Sequence, residues 1–176
     1  MNISIRKSTK KDLGRYTTML QQTYVDAYVD VSVGLTPECF SIEILQNEDT
    51  QQYFKSNLQN DSTQSCWVAL DGKELIGAVT VKSEGNSCEM CGFYIHPAYQ
   101  GRGIGSLLWA KALDYSNGRD ITLDIYTHNT KTIELYKHWG FYEDTSRPRF
   151  FRHWPEWPEH VQAEELYMRR DGTNLN

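Results

Sequence analysis

The sequence predicts a mixed α/β (α+β) fold in a single domain that spans residues 1–176. Three observations predict this fold. Helical patterns dominate the first third of the chain, and two tight-turn signals then connect three strand patterns into an antiparallel meander. A helix–strand–helix–strand order follows. A chain of 176 residues has the length of one domain with a core of its own.

The first third of the chain carries a short strand pattern at residues 3–6, followed by helix signals. Thr9 with Asp12 resembles a capping box, although Asp replaces the usual Glu or Gln. Thr36 and Pro37 suit the cap and the first position of another helix, and a further helical stretch follows. The predicted apolar face of the first helix consists of Leu13, Tyr16, Leu20, Tyr24 and Ala27.

The middle of the chain changes to strands joined by glycine turns. Asp71-Gly72 and Gly85-Asn86 are dipeptides typical of tight hairpin turns. Each lies between strand-like runs, so we expect three consecutive antiparallel strands. The predicted strands are residues 65–70, 75–81 and 88–96.

The last part of the chain alternates helices and strands. A helix over residues 103–117 ends at Asn117-Gly118, a typical C-terminal stop. Its predicted apolar face consists of Ile104, Leu107, Leu108, the aliphatic stem of Lys111, Ala112 and Tyr115. The elements predicted after it are a strand at 121–125, a helix at 129–138, a strand near 141–143, a Pro- and Trp-rich loop and a last strand at 164–169.

Composition disfavours several classes of partner. The net charge of −5 argues against nucleic acid as the main partner, because phosphate contacts need clustered Lys and Arg. The mean hydropathy is −0.61, and no apolar run approaches the roughly 20 residues of a membrane helix, so no membrane association is expected. The first residues lack the basic-then-apolar layout of a signal peptide. We therefore expect a cytoplasmic protein.

Cys88 and Cys91 form a C-x-x-C pair, which raises the alternatives of metal binding and redox chemistry. A zinc site needs a second pair or histidines at ligand spacing, and the sequence shows neither. Residues three apart in a strand point to opposite faces, so the two sulfur atoms would diverge. The sequence therefore predicts buried thiols and no metal.

The segment from His96 to Gly105 is a glycine-rich turn between a predicted strand and an amphipathic helix. Such a turn directs several backbone N–H groups outward at the positive end of a helix, which suits a pyrophosphate. Glycines leave out the Cβ atoms that would keep the phosphate away. The alternative is a glycine-rich turn with no ligand.

Two other nucleotide folds use a similar turn. A P-loop needs Lys and then Ser or Thr after its second glycine, which this turn lacks. The Rossmann pattern is nearly met by Gly101, Gly103 and Ser106, with Asp124 near the position of a ribose-binding acid. Hairpin turns lead into the loop, however, and too few residues follow it for a second mononucleotide half.

Two ordered blocks of sequence resemble the GNAT N-acetyltransferases. Gln100, Gly103 and Gly105 match that family's Gln/Arg-x-x-Gly-x-Gly/Ala signature. The second block consists of Leu123 to Asn129, Ile133 to Tyr136, Trp139 to Phe141 and the closing Glu165 to Met168. The resemblance covers roughly residues 65–170. Trp139 and His138 depart from the family pattern.

The resemblance implies a mostly antiparallel sheet flanked by helices, with a splay between the fourth and fifth strands that admits acetyl-CoA as cosubstrate. The backbone of Phe93, Tyr94 and Ile95 would pair with the pantetheine arm. Asn129 would face the pantetheine or the acetyl end. The residues that would hold the pyrophosphate are Gln100, Gly101, Arg102, Gly103, Ile104, Gly105 and Ser106.

The implied reaction is transfer of an acetyl group to a primary amine by direct attack in a ternary complex. Tyr136 is the candidate proton donor to the departing thiolate, and its alternative role is a core tyrosine. Glu89 precedes Gln100 at a spacing where some family members carry a general base, and its alternative is a solvated strand carboxylate. A CoA-binding regulatory module without catalysis stays open as another function.

The acceptor amine is the least constrained part of the expectation. Tyr24, Tyr28 and Asp26 combine aromatic rings with an acid, which favours a small cationic or polyamine-like amine. Their alternative is an ordinary acidic helix face. A peptide N-terminus, a lysine side chain and an aminoglycoside also stay open. Residues 153–160 would form a substrate wall or a homodimer contact, or would pack internally.

Overall fold

The computed structural model describes residues 2–173, in which helices and strands alternate much as the sequence predicts. The helices are α1 (Leu13–Tyr28), α2 (Ile42–Leu45), α3 (Glu48–Asn57), α4 (Ile104–Ser116) and α5 (Thr130–His138). The strands are β1 (Ile3–Lys7), β2 (Gln64–Asp71), β3 (Glu74–Glu84), β4 (Ser87–Ile95), β5 (Asp120–Tyr126), β6 (Tyr142–Glu143), β7 (Phe150–Arg152) and β8 (Ala163–Arg170).

Within the described residues the strands form one sheet in the order β1-β2-β3-β4-β5-β8-β6, and β7 also pairs with β8. Every pair is antiparallel except β4 with β5, which is parallel. Gly72 and Gly85, both at φ 59°, lie in the two-residue turns of the β2–β3 and β3–β4 hairpins. The predicted mixed, mostly antiparallel sheet is confirmed.

The parallel pairing of β4 with β5 is short. Only Ser87 to Glu89 pair with Asp120 to Thr122, although both strands continue beyond these residues. Just past this point β4 contains a bulge, because Val81 pairs with Met90 whereas Thr80 pairs with Gly92. Cys91 is the extra residue, and a bulge bends its strand away from its former course. The two strands therefore separate, as the splay requires.

One face of the sheet is covered by α1 and α3. Tyr16, Leu20 and Tyr24 of α1 are each at most 2% exposed, which confirms the centre of the predicted apolar face, whereas Leu13 and Ala27 at its two ends are half-buried. Phe54 of α3 meets the edge of Tyr16 at 5.7 Å between ring centroids. This core also receives alternate residues of β2, such as Val68.

The other face is covered by α4 and α5. The buried residues of α4 include the predicted Ile104, Leu108 and Ala112. The prediction for Leu107 is wrong, because this side chain is 51% exposed. Trp109 is buried instead and stacks on Trp139 at 5.0 Å between centroids. The stacking gives the unusual Trp139 a structural role that the sequence pattern did not reveal.

Two local expectations need correction. The segment after Thr36 is a 3-10 turn, Pro37–Phe40, and the following helix begins after Ser41, whose side chain accepts a hydrogen bond from the Ile44 N–H. The Pro- and Trp-rich loop is preceded by β7, a strand too short for an alternating pattern to reveal.

The cysteines of the C-x-x-C pair diverge as expected. Cys88 is fully buried on the α4 side of the sheet, as predicted. The prediction of a buried thiol is wrong for Cys91, which lies in the bulge, lines the cavity beside β4 and is only half-buried. Across residues 2–173, no set of three His, Cys, Asp or Glu side chains is arranged to hold a metal ion. In the same part of the chain no helix has the length and apolar character needed to cross a membrane.

Asp12 is a fully buried carboxylate that ties β1 to the start of α1. Arg6 donates hydrogen bonds to both of its oxygens at 2.8 Å, and Arg15 Nη2 lies 2.6 Å from Oδ1. The Thr9 N–H donates to Oδ2 at 2.8 Å, which is the carboxylate half of the predicted capping box. These contacts, chiefly the hydrogen bonds from Arg6, hold the pKa of Asp12 well below its ordinary value despite burial.

We expect Asp12→Asn to lower the free energy of unfolding by about 2–3 kcal/mol at pH 7, because a buried charge-assisted network loses its centre. The folded-state pKa is depressed, so this contribution is fully present above the unfolded pKa of about 4 and is lost progressively as pH falls from there through the folded-state pKa. Urea unfolding at pH 7 and pH 3 measures both effects. Asp114→Asn, on the exposed side of α4, is the matched control. An equal loss in both variants would contradict the assignment.

Candidate active site

A cavity of about 1610 Å³ occupies the gap where β4 and β5 separate. Its walls come from these two strands, the end of α1, the glycine-rich turn and the start of α5. The loop after β7 and one side of α3 also contribute to the lining. The cavity is therefore built at the point where pairing between the two parallel strands stops.

The cavity brings together nearly all of the residues that the sequence singled out. Those that line it are Tyr24, Asp26, Tyr28, Glu89, Phe93, Tyr94, Ile95, Gln100, Gly101, Gly103, Gly105, Ser106, Asn129 and Tyr136. The side chains of two other predicted residues, Ile104 and Arg102, do not line the cavity. Ile104 is 1% exposed and packs in the core under α4. Arg102 lies outside the lining, with its guanidinium 5.3 Å from the ring centroid of Tyr99.

The glycine-rich turn has the geometry of an anion site. Gly101 and Gly103 adopt φ of 72° and 80°, and a Cβ at either position would meet no atom within 4 Å. Gly103 is the N-cap of α4, and no side chain caps it. The first N–H groups of an α-helix have no intrahelical partner and lie at its positive end. The turn therefore fits a phosphate group.

Gln100 links α1 to α5 across the cavity beside this turn. Its Oε1 accepts a hydrogen bond from Lys131 Nζ at 3.0 Å, and its Nε2 donates to Asp26 Oδ2 at 3.4 Å. Lys131 also lines the cavity and brings a cation next to the turn. Sequence reasoning missed Lys131; its place two residues after Asn129, at the start of a helix, was the available signal.

The edge of β4 beyond Glu89 faces the gap, because the register with β5 ends there. Phe93, Tyr94 and Ile95 lie on this stretch, and their backbone groups on that side have no β5 partner. Asn129 caps α5 by accepting a hydrogen bond from the Thr132 N–H at 3.4 Å. Asn129 thus serves a structural role and lines the cavity at the same time.

Tyr136 is 5% exposed and packs against Trp139 and Phe141, with ring centroids 6.0 and 5.5 Å away. Burial, reinforced by the nearby Tyr94 and Asp124, raises the pKa of its phenol above the ordinary value. The hydroxyl therefore keeps its proton at neutral pH, as a proton donor must.

Glu89 lies at the start of the gap and is half-buried. Burial is the main cause that raises the pKa of its carboxyl, and the charge of Asp124 adds to it. Lys82 and Arg147 act in the opposite direction. A carboxylate with a raised pKa is a better proton acceptor than one in free solution.

A charged cluster at the floor of the cavity was missed by the sequence analysis. Arg152 Nη2 donates to Asp124 Oδ2 at 2.6 Å and to Glu165 Oε2 at 2.9 Å, and its Nε donates to Glu165 Oε1 at 2.7 Å. Burial, with a smaller effect from Asp124, raises the pKa of Glu165 to about 7, against the lowering effect of Arg152. In the sequence, Asp124 was noted only as a possible ribose-binding acid of the Rossmann pattern, and Glu165 only as part of the last strand.

An aromatic wall faces these charges. Tyr28 meets Tyr126 at 4.9 Å and Tyr24 meets Tyr94 at 5.5 Å between ring centroids, and Trp154 lies 5.9 Å from Tyr24. The loop at residues 153–160 contributes His153 to Glu156 to the lining.

Trp157 anchors this loop. Its side chain is buried, its Nε1 donates to the Cys39 carbonyl at 3.1 Å, and its ring stacks on Trp154. Of the three roles left open for residues 153–160, the structure shows a cavity wall with one internally packed residue.

Comparison with known proteins adds a family and two sets of relatives. A family model described as the acetyltransferase (GNAT) family matches residues 29–141. N-alpha-acetyltransferase RimI of Mycobacterium tuberculosis is 37% identical over 78 residues, which cover 44% of each chain. The chain thus matches less than half the length of this curated relative.

Solved structures match over nearly the whole chain. The ribosomal-protein-S18-alanine N-acetyltransferase of Escherichia coli has a TM-score of 0.69 at 15% identity and covers 99% of this chain and 96% of its own. The PaiA N-acetyltransferase of Thermoplasma acidophilum, in complex with coenzyme A, also has a TM-score of 0.69, at 19% identity, with 97% and 99% covered. At these identities the matches show the fold alone.

We expect substitution by alanine at Gly103 and at Gly105 to change the free energy of unfolding in opposite directions. Gly103→Ala places a side chain in the left-handed region and should lower the free energy of unfolding by about 1–2 kcal/mol. Gly105→Ala adds a Cβ that meets Phe93 at an ordinary 3.8 Å, so helix propensity should raise stability by up to about 1 kcal/mol. Urea unfolding of both variants checks the signs. Equal destabilisation would contradict the geometry of the turn.

Proposed function

Because the chain belongs to the acetyltransferase (GNAT) family, we propose that it transfers an acetyl group from acetyl-CoA to a primary amine. The observation that carries this proposal is the continuity of the cavity. One space joins the phosphate-fitting turn at Gly101 and Gly103 to the buried Tyr136 and to Glu89. A cofactor anchored at the turn therefore has an open path to a proton donor and a proton acceptor.

The residues present fit acetyl-CoA. The N–H groups of the turn and the Lys131 ammonium would receive its phosphates, and the free edge of β4 at Phe93 to Ile95 would pair with the pantetheine arm. When bound, acetyl-CoA supplies an activated acetyl group on a thiol that can leave. The backbone N–H groups of the β4 edge are suited to stabilise a developing oxyanion.

Proton handling is assigned to two side chains. An alkyl ammonium has a pKa of roughly 10.4, so its neutral form costs about 4–5 kcal/mol at pH 7. Glu89 accepts the proton that the amine loses, and the Tyr136 hydroxyl donates a proton to the departing sulfur.

Burial and Glu89 raise the pKa of the Cys91 thiol to about 12, which makes it a poor nucleophile. This favours direct transfer in a ternary complex over an acetyl-cysteine intermediate.

A cationic amine is the acceptor class that the cavity supports. Its lining combines Asp26, Glu89 and Asp124 with the rings of Tyr24 and Tyr28. Carboxylates and aromatic faces both attract an ammonium group. A small or polyamine-like amine is the first candidate.

A peptide N-terminus is the second candidate acceptor. The RimI relative is named as an N-alpha-acetyltransferase, and the Escherichia coli neighbour as acting on an alanine of ribosomal protein S18. The wide cavity, with the aromatic wall along one side, also has room for the first residues of a peptide.

We expect CoA thiol release from acetyl-CoA with polyamines or short peptides in a panel that also contains amino acids and aminoglycosides, at pH 7–9. Turnover with one class names the acceptor. Acetyl-CoA should also raise the melting temperature, because it binds only the folded state. Stabilisation without release from any amine would favour a CoA-binding regulatory module. Absence of stabilisation would overturn the cofactor assignment.

We expect Tyr136→Phe to lower kcat about 100-fold without changing the Kd for acetyl-CoA. The loss should stay constant from pH 7 to 9, because the pKa of Tyr136 lies above its ordinary value of about 10. Glu89→Gln should lower kcat less at pH 9 than at pH 7, because at pH 9 a larger fraction of the amine is already neutral and needs no general base. Tyr142→Phe, exposed and outside the cavity, is the control. Identical pH profiles for the Tyr136 and Glu89 variants would refute these roles.

A further inference from the structure

The charged cluster on the cavity floor has no part in the two-residue proton scheme. Its cation, Arg152, comes from the three-residue strand β7, which pairs with the start of β8. From there the guanidinium reaches Glu165 on β8 and Asp124 on β5, the next strand of the sheet. A single side chain therefore links three strands at the floor of the cavity.

Glu165 alone would pair the guanidinium of Arg152, whose side chain is 40% exposed. Its side chain is 5% exposed and engages the guanidinium with both oxygens, at 2.7 and 2.9 Å. A two-point contact of this kind fixes the plane and direction of a guanidinium. The second N–H group of Nη2 is thereby directed at Asp124 Oδ2, 2.6 Å away. Asp124 is 25% exposed and lines the cavity.

Asp124 lies on β5 two residues beyond the position of Glu89, at the opening of the gap. Glu89 pairs with Thr122, the last β5 residue in register with β4. Side chains alternate along a strand, so Asp124 lies on the same face as Thr122, and Glu89 shares that face. The two carboxylates therefore flank the start of the cavity from different strands.

We propose that Arg152 is a positioning residue whose guanidinium, anchored on Glu165, holds the Asp124 carboxylate beside Glu89 to receive the amino group of the acceptor. The inference rests on the proposed function and adds a specificity to it. When ionised, the three carboxylates and one guanidinium carry two net negative charges. A primary ammonium is attracted there, whereas an acceptor with a carboxylate next to its amine is repelled.

Matched substrates test this specificity. We expect an amino acid amide to be acetylated with a kcat/KM at least about tenfold above that of the corresponding free amino acid. Asp124→Asn should reduce this preference and raise KM for the amide, while the Kd for acetyl-CoA stays unchanged. Equal use of both acceptors by the wild-type protein would overturn the proposal.

A pair of Arg152 variants separates positioning from simple stabilisation. Arg152→Gln leaves Glu165 buried without its partner, so both stability and kcat/KM should fall, the latter about tenfold or more. Arg152→Gln combined with Glu165→Gln replaces the ion pair by a neutral pair and should recover stability but not kcat/KM. Recovery of kcat/KM to within about twofold in the double variant would show a structural role only.

Arg149→Gln is the matched control. Arg149 neighbours β7 and pairs with Glu143 and Glu164 at the surface, outside the cavity. Its loss should leave acceptor kinetics unchanged. An equal kinetic loss in the Arg149 and Arg152 variants would overturn the proposal, since it would point to general electrostatics.

Calorimetric binding of the amine to the protein without acetyl-CoA distinguishes the two proposals. Amine binding that Arg152→Gln and Asp124→Asn weaken about tenfold supports the positioning role even if no turnover occurs, in which case the transferase assignment alone fails. Turnover that is indifferent to both variants overturns the positioning role alone. The pH dependence of binding is expected from Glu89 and Glu165, whose pKa values are raised, and the charged groups that face them are Asp124, Arg152, Lys82 and Arg147.

Discussion

The cavity exists because the backbone pairing between β4 and β5 stops after three residues. β4 and β5 pair over Ser87 to Glu89 only, and the bulge at Cys91 then turns β4 away from its neighbour. Buried backbone N–H and C=O groups need partners, so a strand edge released inside a protein is a site for a ligand that can supply them. Full pairing of the two strands would close the edge and the cavity together.

The sheet tolerates this opening because each half is held independently. β1 to β4 are joined by long antiparallel ladders, and β5 pairs with β8 over six residues. Separate hydrophobic clusters lie on the two sides of the sheet, one under α1 and α3 and the other under α4 and α5. The gap therefore interrupts pairing at one position without leaving either core uncovered.

Charge is segregated along the cavity in a way that the net charge of −5 conceals. The uncapped start of α4 and Lys131 make one end attractive to anions. Glu89, Asp124 and Glu165 make the floor attractive to cations, with Arg152 partly compensating them. This segregation is what the proposed transfer from a phosphorylated cofactor to an ammonium compound would require.

Short-range features were predictable from the sequence because they depend on neighbouring residues. The hairpins at Gly72 and Gly85, the Thr9–Asp12 contact and the turn at Gly101 to Gly103 follow from local backbone and side-chain chemistry. The family resemblance, carried by spaced motifs, predicted the splay, and of the site residues singled out from the sequence only Ile104 and Arg102 do not line it. Tertiary structure alone decided which side chains face each other. Trp109 rather than Leu107 is buried because it stacks on Trp139. Arg152 reaches Asp124, 28 positions away, only because β7 pairs with β8. Contacts between distant segments leave no periodic signal, so the floor of the cavity became visible only in the folded chain.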